Sequence, residues 1–92
     1  MTLQEINDQL ELLRLKELFM SDIKIRSKMA LLLSEECAAG VPPYQEFCEF
    51  AHCTPEIAKM FTHISLYDVI LTRKEIAAER KRLERMKHDI LQ

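Results

Sequence analysis

Gly40 is the only glycine in this chain of 92 residues, and Pro42, Pro43 and Pro55 are its only prolines. Tight hairpin turns draw on glycine, proline and asparagine, so a chain with so few of them has little means of reversing one strand into the next. In their place stand Leu, Met, Ala, Glu, Lys and Arg, which lose little side-chain freedom on entering a helix. The expected fold is all-α: a small bundle of four or five helices with a long C-terminal helix.

The few breaks each have a mechanism. Thr2 and Glu5 have capping-box spacing, which places a hydroxyl and a carboxylate on the free amides of a helix start. Leu3, Ile6, Leu10 and Leu13 then follow at steps of three and four and share one face. Leu15, Leu18, Phe19 and Ile23 take over the apolar face further on, and a break or bend is expected at Ser21-Asp22. The stretch from Ile23 to Ala39 stops at Gly40-Val41-Pro42-Pro43, because glycine takes the left-handed conformation after a helix and proline blocks its continuation. Tyr44, Phe47, Cys48, Phe50 and Ala51 make a short aromatic helix. Thr54-Pro55-Glu56 ends it and starts another, with threonine as cap, proline in the first helical position and glutamate in the first turn. Ile57, Ala58 and Phe61 should face inward there. From Ser65, with Asp68 at capping-box distance, one helix is expected to run to about Leu91. Breaks near 20–22, 40–43, 53–55 and 62–65 thus divide one helical domain spanning residues 1–92.

The closing helix is patterned in sevens. Val69, Ile76, Leu83 and Ile90 recur at that interval, and Thr72, Glu79 and Met86 fill the companion positions, so the seam is coiled-coil-like but half polar. Arg73, Arg80 and Lys87 border the seam, with Lys74, Lys81 and His88 just outside. The opening helix offers Glu5, Asp8, Glu11 and Glu17 in return. Antiparallel packing of the two terminal helices brings these charges together, although exposed pairs contribute only about 0.2–1 kcal/mol each.

Composition narrows the function classes. Charged residues are 30% of the chain and hydrophobic ones 48%, a globular profile that does not fit a disordered segment. The longest purely apolar run, Met29 to Leu33, is far short of the roughly 20 residues that cross a bilayer. Met1 to Glu5 lack the basic start and apolar stretch of a secretory signal, and an odd number of cysteines without framework spacing reads as reduced thiols. The expected location is therefore cytoplasmic, with no membrane partner.

Catalytic and metal chemistry find little support. Cys37, Cys48, Cys53, His52 and His63 are the residue types that ligate zinc, and Cys48 and His52 are four apart. No CxxC pair accompanies them, and small thiols beside Ala38, Phe47 and Ala51 are ordinary core residues. His52 and Cys53 are neighbours, but successive helical residues point about 100° apart, and Gly40 alone cannot build a phosphate loop. The expectation is no metal, no cofactor and no enzyme.

Two binding functions remain. The segment from Thr54 to Ser65, followed by Leu66 to Arg73, resembles a helix-turn-helix in outline: an Ile-Ala pair, an aromatic residue, a polar turn and a second helix. The resemblance covers about a fifth of the chain and implies a DNA-binding regulator, with Arg73, Lys74, Arg80, Lys81 and Lys87 as phosphate contacts. A formal net charge of −2 weighs against it. The reading that gathers more of the sequence is a protein-protein interaction module: an adaptor, chaperone-like subunit, inhibitor or self-associating protein. It would hold another protein or a second copy of itself through Leu3, Ile6, Leu10, Leu13, Val69, Ile76, Leu83, Met86 and Ile90. The polar seam positions Thr72 and Glu79 favour it, since they sit more easily at a boundary than in a sealed core.

Overall fold

The computed structural model describes residues 1–40, 44–64 and 73–92, with Cys37 described by its backbone alone. The described residues form five helices and no strand: α1 (Leu3–Ser21), α2 (Ile23–Ala39), α3 (Gln45–Ala51), α4 (Pro55–Thr62) and α5 (Arg73–Leu91). This is the small all-α bundle with a long C-terminal helix that the composition implies.

The helix boundaries follow from local chemistry. The Thr2 hydroxyl accepts from the Glu5 amide at 3.1 Å, and the Glu5 carboxylate accepts from the Thr2 amide at 3.3 Å, a closed capping box. α1 stops at Ser21, whose hydroxyl donates to the Leu18 carbonyl at 2.7 Å. Asp22 is extended, at φ −156° and ψ 143°. Its carboxylate accepts from the Lys24 amide at 2.7 Å and its carbonyl from the Arg26 amide at 2.9 Å, so Asp22 opens α2 as it closes α1. Arg26 braces this corner, its guanidinium 5.6 Å from the Phe19 ring centre.

Gly40 has φ 64°, the left-handed conformation that ends helices. Tyr44 and His52 flank α3 and are left-handed too, at φ 59° and 55°. The Thr54 hydroxyl caps α4 by accepting from the Ile57 amide at 3.3 Å, and Pro55 occupies the first turn. The expected start of the last helix at Ser65, together with Asp68, Val69 and Thr72, lies outside the described residues, and the described helix begins at Arg73.

Two apolar clusters share α1. Leu12 and Leu15 join Met29 and Leu32 of α2, Phe47 and Ala51 of α3, and Ile57, Ala58 and Phe61 of α4. Phe61 is the hub of the aromatics, 6.2 Å from both Phe19 and Phe47. On another face, Ile6 and Leu13 of α1 meet Ile76 and Leu83 of α5, flanked by Leu10 and Met86. Leu15, Leu18 and Phe19 therefore do not replace the first seam by drift. They form a second stripe, which makes α1 the shared wall of two cores. Ile23, expected on that stripe, is instead 66% exposed beyond the Asp22 corner.

Candidate functional site

The long α1–α5 pair carries most of the residues that the sequence marks for binding. Arg73, Ile76 and Ala77, at the start of α5, lie beside Met20 and Ser21 at the end of α1. Leu83 and Met86, later in α5, join Ile6, Leu10 and Leu13, earlier in α1. The two helices are therefore antiparallel, and Arg80 pairs with Glu17 across them.

This geometry revises the proposed binding surface. Ile6, Leu13, Ile76 and Leu83 are all buried, each seam filling the other within one chain, so in this fold they are core and not contact surface. The helical period marks such stripes but does not say whether the partner helix lies in the same chain. Leu3, Leu10 and Met86 are half-buried, and Val69 lies outside the described residues. Ile90 remains 44% exposed, with Leu91 at 63% and Met1 at 55%. The seam is closed along its middle and open at the end where α1 starts and α5 finishes.

Glu79 is likewise accommodated inside the chain. The Arg82 guanidinium donates to its carboxylate at 2.5 and 3.0 Å. These bonds, with the added charges of Arg82 and Lys16, hold the Glu79 carboxyl below its usual range despite some burial. A polar residue on the seam does not by itself call for an outside partner.

The cations of α5 divide by face. Arg80 and Lys87 are half-buried, whereas Arg73, Lys74 and Lys81 are exposed. Arg85 and His88, also exposed, extend the Lys74–Lys81 stripe along the outer surface at helical spacing, and Arg85 went unmarked in the sequence because Glu84 beside it masks the run. An acidic hollow of about 270 Å³ lies on α2 and α3, lined by Glu35, Glu36, Ala39, Gln45 and Glu46. Glu36 reaches over it to accept from the Glu46 amide at 3.4 Å, while its other carboxylate oxygen is buried and has no hydrogen-bond partner among the described residues.

The helix-turn-helix outline falls partly on α4, and its second element lies outside the described residues. The described chain also places two short helices in succession one helix earlier: α3, a turn at His52 and Cys53, then Thr54-capped α4. Left-handed His52 stands where such turns usually carry glycine. Its carbonyl accepts from Arg14 of α1 at 3.0 Å. The exposed face of α4 offers Glu56, Lys59, Met60 and His63, with acidic Glu46 and Glu49 on the helix before it.

The cysteine and histidine set resolves differently from its spacing. His52 is exposed and outside helical geometry, so the four-residue step from Cys48 does not bring it back to that thiol. Cys53 folds back over the end of α3 instead, its amide donating to the Cys48 carbonyl at 3.2 Å. Burial pushes Cys53 up to about 12 and raises Cys48 as well, which keeps both protonated at neutral pH. Among the described residues no three acidic, histidine or cysteine side chains converge as metal ligands, and no helix is long and apolar enough to cross a membrane.

The site and fold define a class no narrower than an all-α helical chain with one open apolar end and one basic outer face. No family model, curated protein or solved structure matches it.

Proposed function

We propose that this chain is a cytoplasmic, non-catalytic protein-interaction module that binds a second copy of itself through the open end of the α1–α5 seam. The observation that carries this reading is the exposure of Ile90 and Leu91, at 44% and 63%, where a heptad series buried at Ile76 and Leu83 runs out. Half-buried Leu3 and exposed Met1 extend the apolar surface at the same end. The charges around it suit a two-fold pairing. Glu5 and Asp8 belong to α1 here, and Arg85, Lys87 and His88 to α5, so a symmetric partner sets acidic α1 against basic α5 twice.

The test is sedimentation equilibrium on the unmodified protein and on an Ile90→Asp/Leu91→Asp variant. These side chains lie outside the buried cluster, so helicity should be unchanged while the dimer dissociates to the 10.8 kDa monomer. A variant that associates as strongly as the unmodified chain overturns the assignment.

A second reading, DNA binding, is favoured by exposed Lys74 and Lys81 on α5. It requires duplex binding that weakens steeply with salt and is lost in Lys74→Glu/Lys81→Glu. Duplex binding that survives this change, or no binding at low salt, rejects it.

A further inference from the structure

A line of uncompensated charge runs along the outside of α5. Successive helical residues turn by about 100°, so Lys74, Lys81 and Arg85 fall within roughly 20° of one line, on the side opposite buried Ile76 and Leu83, and all three are exposed. At about 1.5 Å per residue the line is about 16 Å long. Neighbouring cations are neutralised inside the chain, Arg80 by Glu17 and Arg82 by Glu79. Lys74, Lys81 and Arg85 make no ion pair among the described residues.

Folding does not call for this arrangement. Lys81 and Arg85 are four residues apart, a step at which like charges destabilise a helix. The chain has 15 acidic residues against 13 Lys and Arg, yet the two positions from which a carboxylate would reach both Lys74 and Lys81 are Ala77 and Ala78. Both alanines are exposed. They leave a shallow floor between the cations on which a second helix can lie at an axial distance of about 8–10 Å. Glu75, Glu84 and Asp89 stand on the two flanks, about 60–100° from the line. Such a rim repels a broad polyanion and admits one narrow rod of negative charge, and a helix with its side chains is only about 10–12 Å across.

We infer that this face of α5 docks an acidic helix of another protein, with carboxylates of the partner over Lys74, Lys81 and Arg85 and its small side chains over Ala77 and Ala78. Exposed charge pairs hold weakly and are screened by salt, so the contact is transient and the charges set its specificity. Lys74 and Lys81 lie more than two helical turns before Ile90 and Leu91, so the inference does not rest on the self-association argued above.

The test is a nuclear magnetic resonance titration of the nitrogen-labelled full chain at low salt, read at the backbone amides. The probes are an alanine-based helical peptide with glutamates spaced to match Lys74, Lys81 and Arg85, its glutamine counterpart, and a short DNA duplex. The glutamate peptide should give saturable shifts at Lys74, Ala77, Ala78, Lys81 and Arg85 and leave Phe47 and Phe61 unmoved. Its affinity should fall by about tenfold or more in Lys81→Glu/Arg85→Glu and stay within roughly twofold in Lys59→Glu, which reverses an exposed charge on α4. Lys81→Gln relieves the like-charge step, so it should melt no lower than the unmodified chain, whereas a structural role for Lys81 would lower its melting point. No shifts, equal shifts from the glutamine peptide, shifts centred on another helix, tighter binding of the duplex at this face, or a lower melting point for Lys81→Gln overturns the proposal.

Discussion

His52 adopts a left-handed backbone that costs a non-glycine residue about 1–2 kcal/mol, and Arg14 anchors its carbonyl. Replacing it with glycine removes the clash at the expense of a more flexible unfolded chain. His52→Gly is expected to raise stability by about 0.5–1 kcal/mol in urea titration, and an unchanged or lower midpoint contradicts this strain. The ionisable residues make pH-dependent claims of opposite sign. Glu79 has a folded value below its ordinary 4.5, so its contribution is present above that value and is lost as pH falls through the lower folded one. Glu79→Gln should flatten the acid limb of the stability profile. Cys53 is raised from 9.0 to about 12. The unfolded chain releases that proton first, so stability falls as pH rises between those values, and Cys53→Ala should make the alkaline limb shallower. The Thr54-Pro55-Glu56 start was legible in the sequence because capping is local. The tight turn that carries the Cys53 amide back to the Cys48 carbonyl was not, since it depends on a left-handed residue that no propensity assigns to histidine.

Among the helices, α1 was the hardest to read correctly. Its first stripe, Leu3, Ile6, Leu10 and Leu13, is plain in the spacing, and so is the inward face of α4 with Ile57, Ala58 and Phe61. The second stripe looked like a shift in register because two apolar faces on one helix blur a single 3.6-residue period. Which stripe meets which helix is a long-range matter, and the spacing within α1 carries no signal of it. The two clusters should also differ in mutational response. Leu83→Ala is expected to cost about 2–5 kcal/mol and to release α5 first. Amide exchange should then quicken along α5 and the first half of α1, while Phe47 and Phe61 keep their protection. Uniform loss of protection across all five helices would mean that the two clusters act as one unit. Thr2→Ala removes the capping hydroxyl, and a loss of about 1 kcal/mol is expected from thermal melting.

At the level of the whole molecule, a net charge of −2 conceals a separation of charge. Exposed cations gather on α5, and carboxylates gather where α2 meets α3. The sequence displayed the basic band and the acidic opening helix, but not that a single described ion pair, Arg80 with Glu17, would cross the α1–α5 interface. Most of the α5 cations thus stay on the solvent side, where salt screens them over about 8–10 Å. Association that combines an apolar end with surrounding charge should weaken only modestly as salt rises, whereas phosphate binding should collapse. The measurement that tests the central claim most directly is light-scattering mass on a size-exclusion column, over a range of loading concentrations at low and moderate salt, with and without a short DNA duplex. The account requires a concentration-dependent rise from 10.8 kDa towards twice that mass, indifferent to the duplex. A constant 10.8 kDa at every concentration, or a mass that grows only with duplex at low salt, contradicts it.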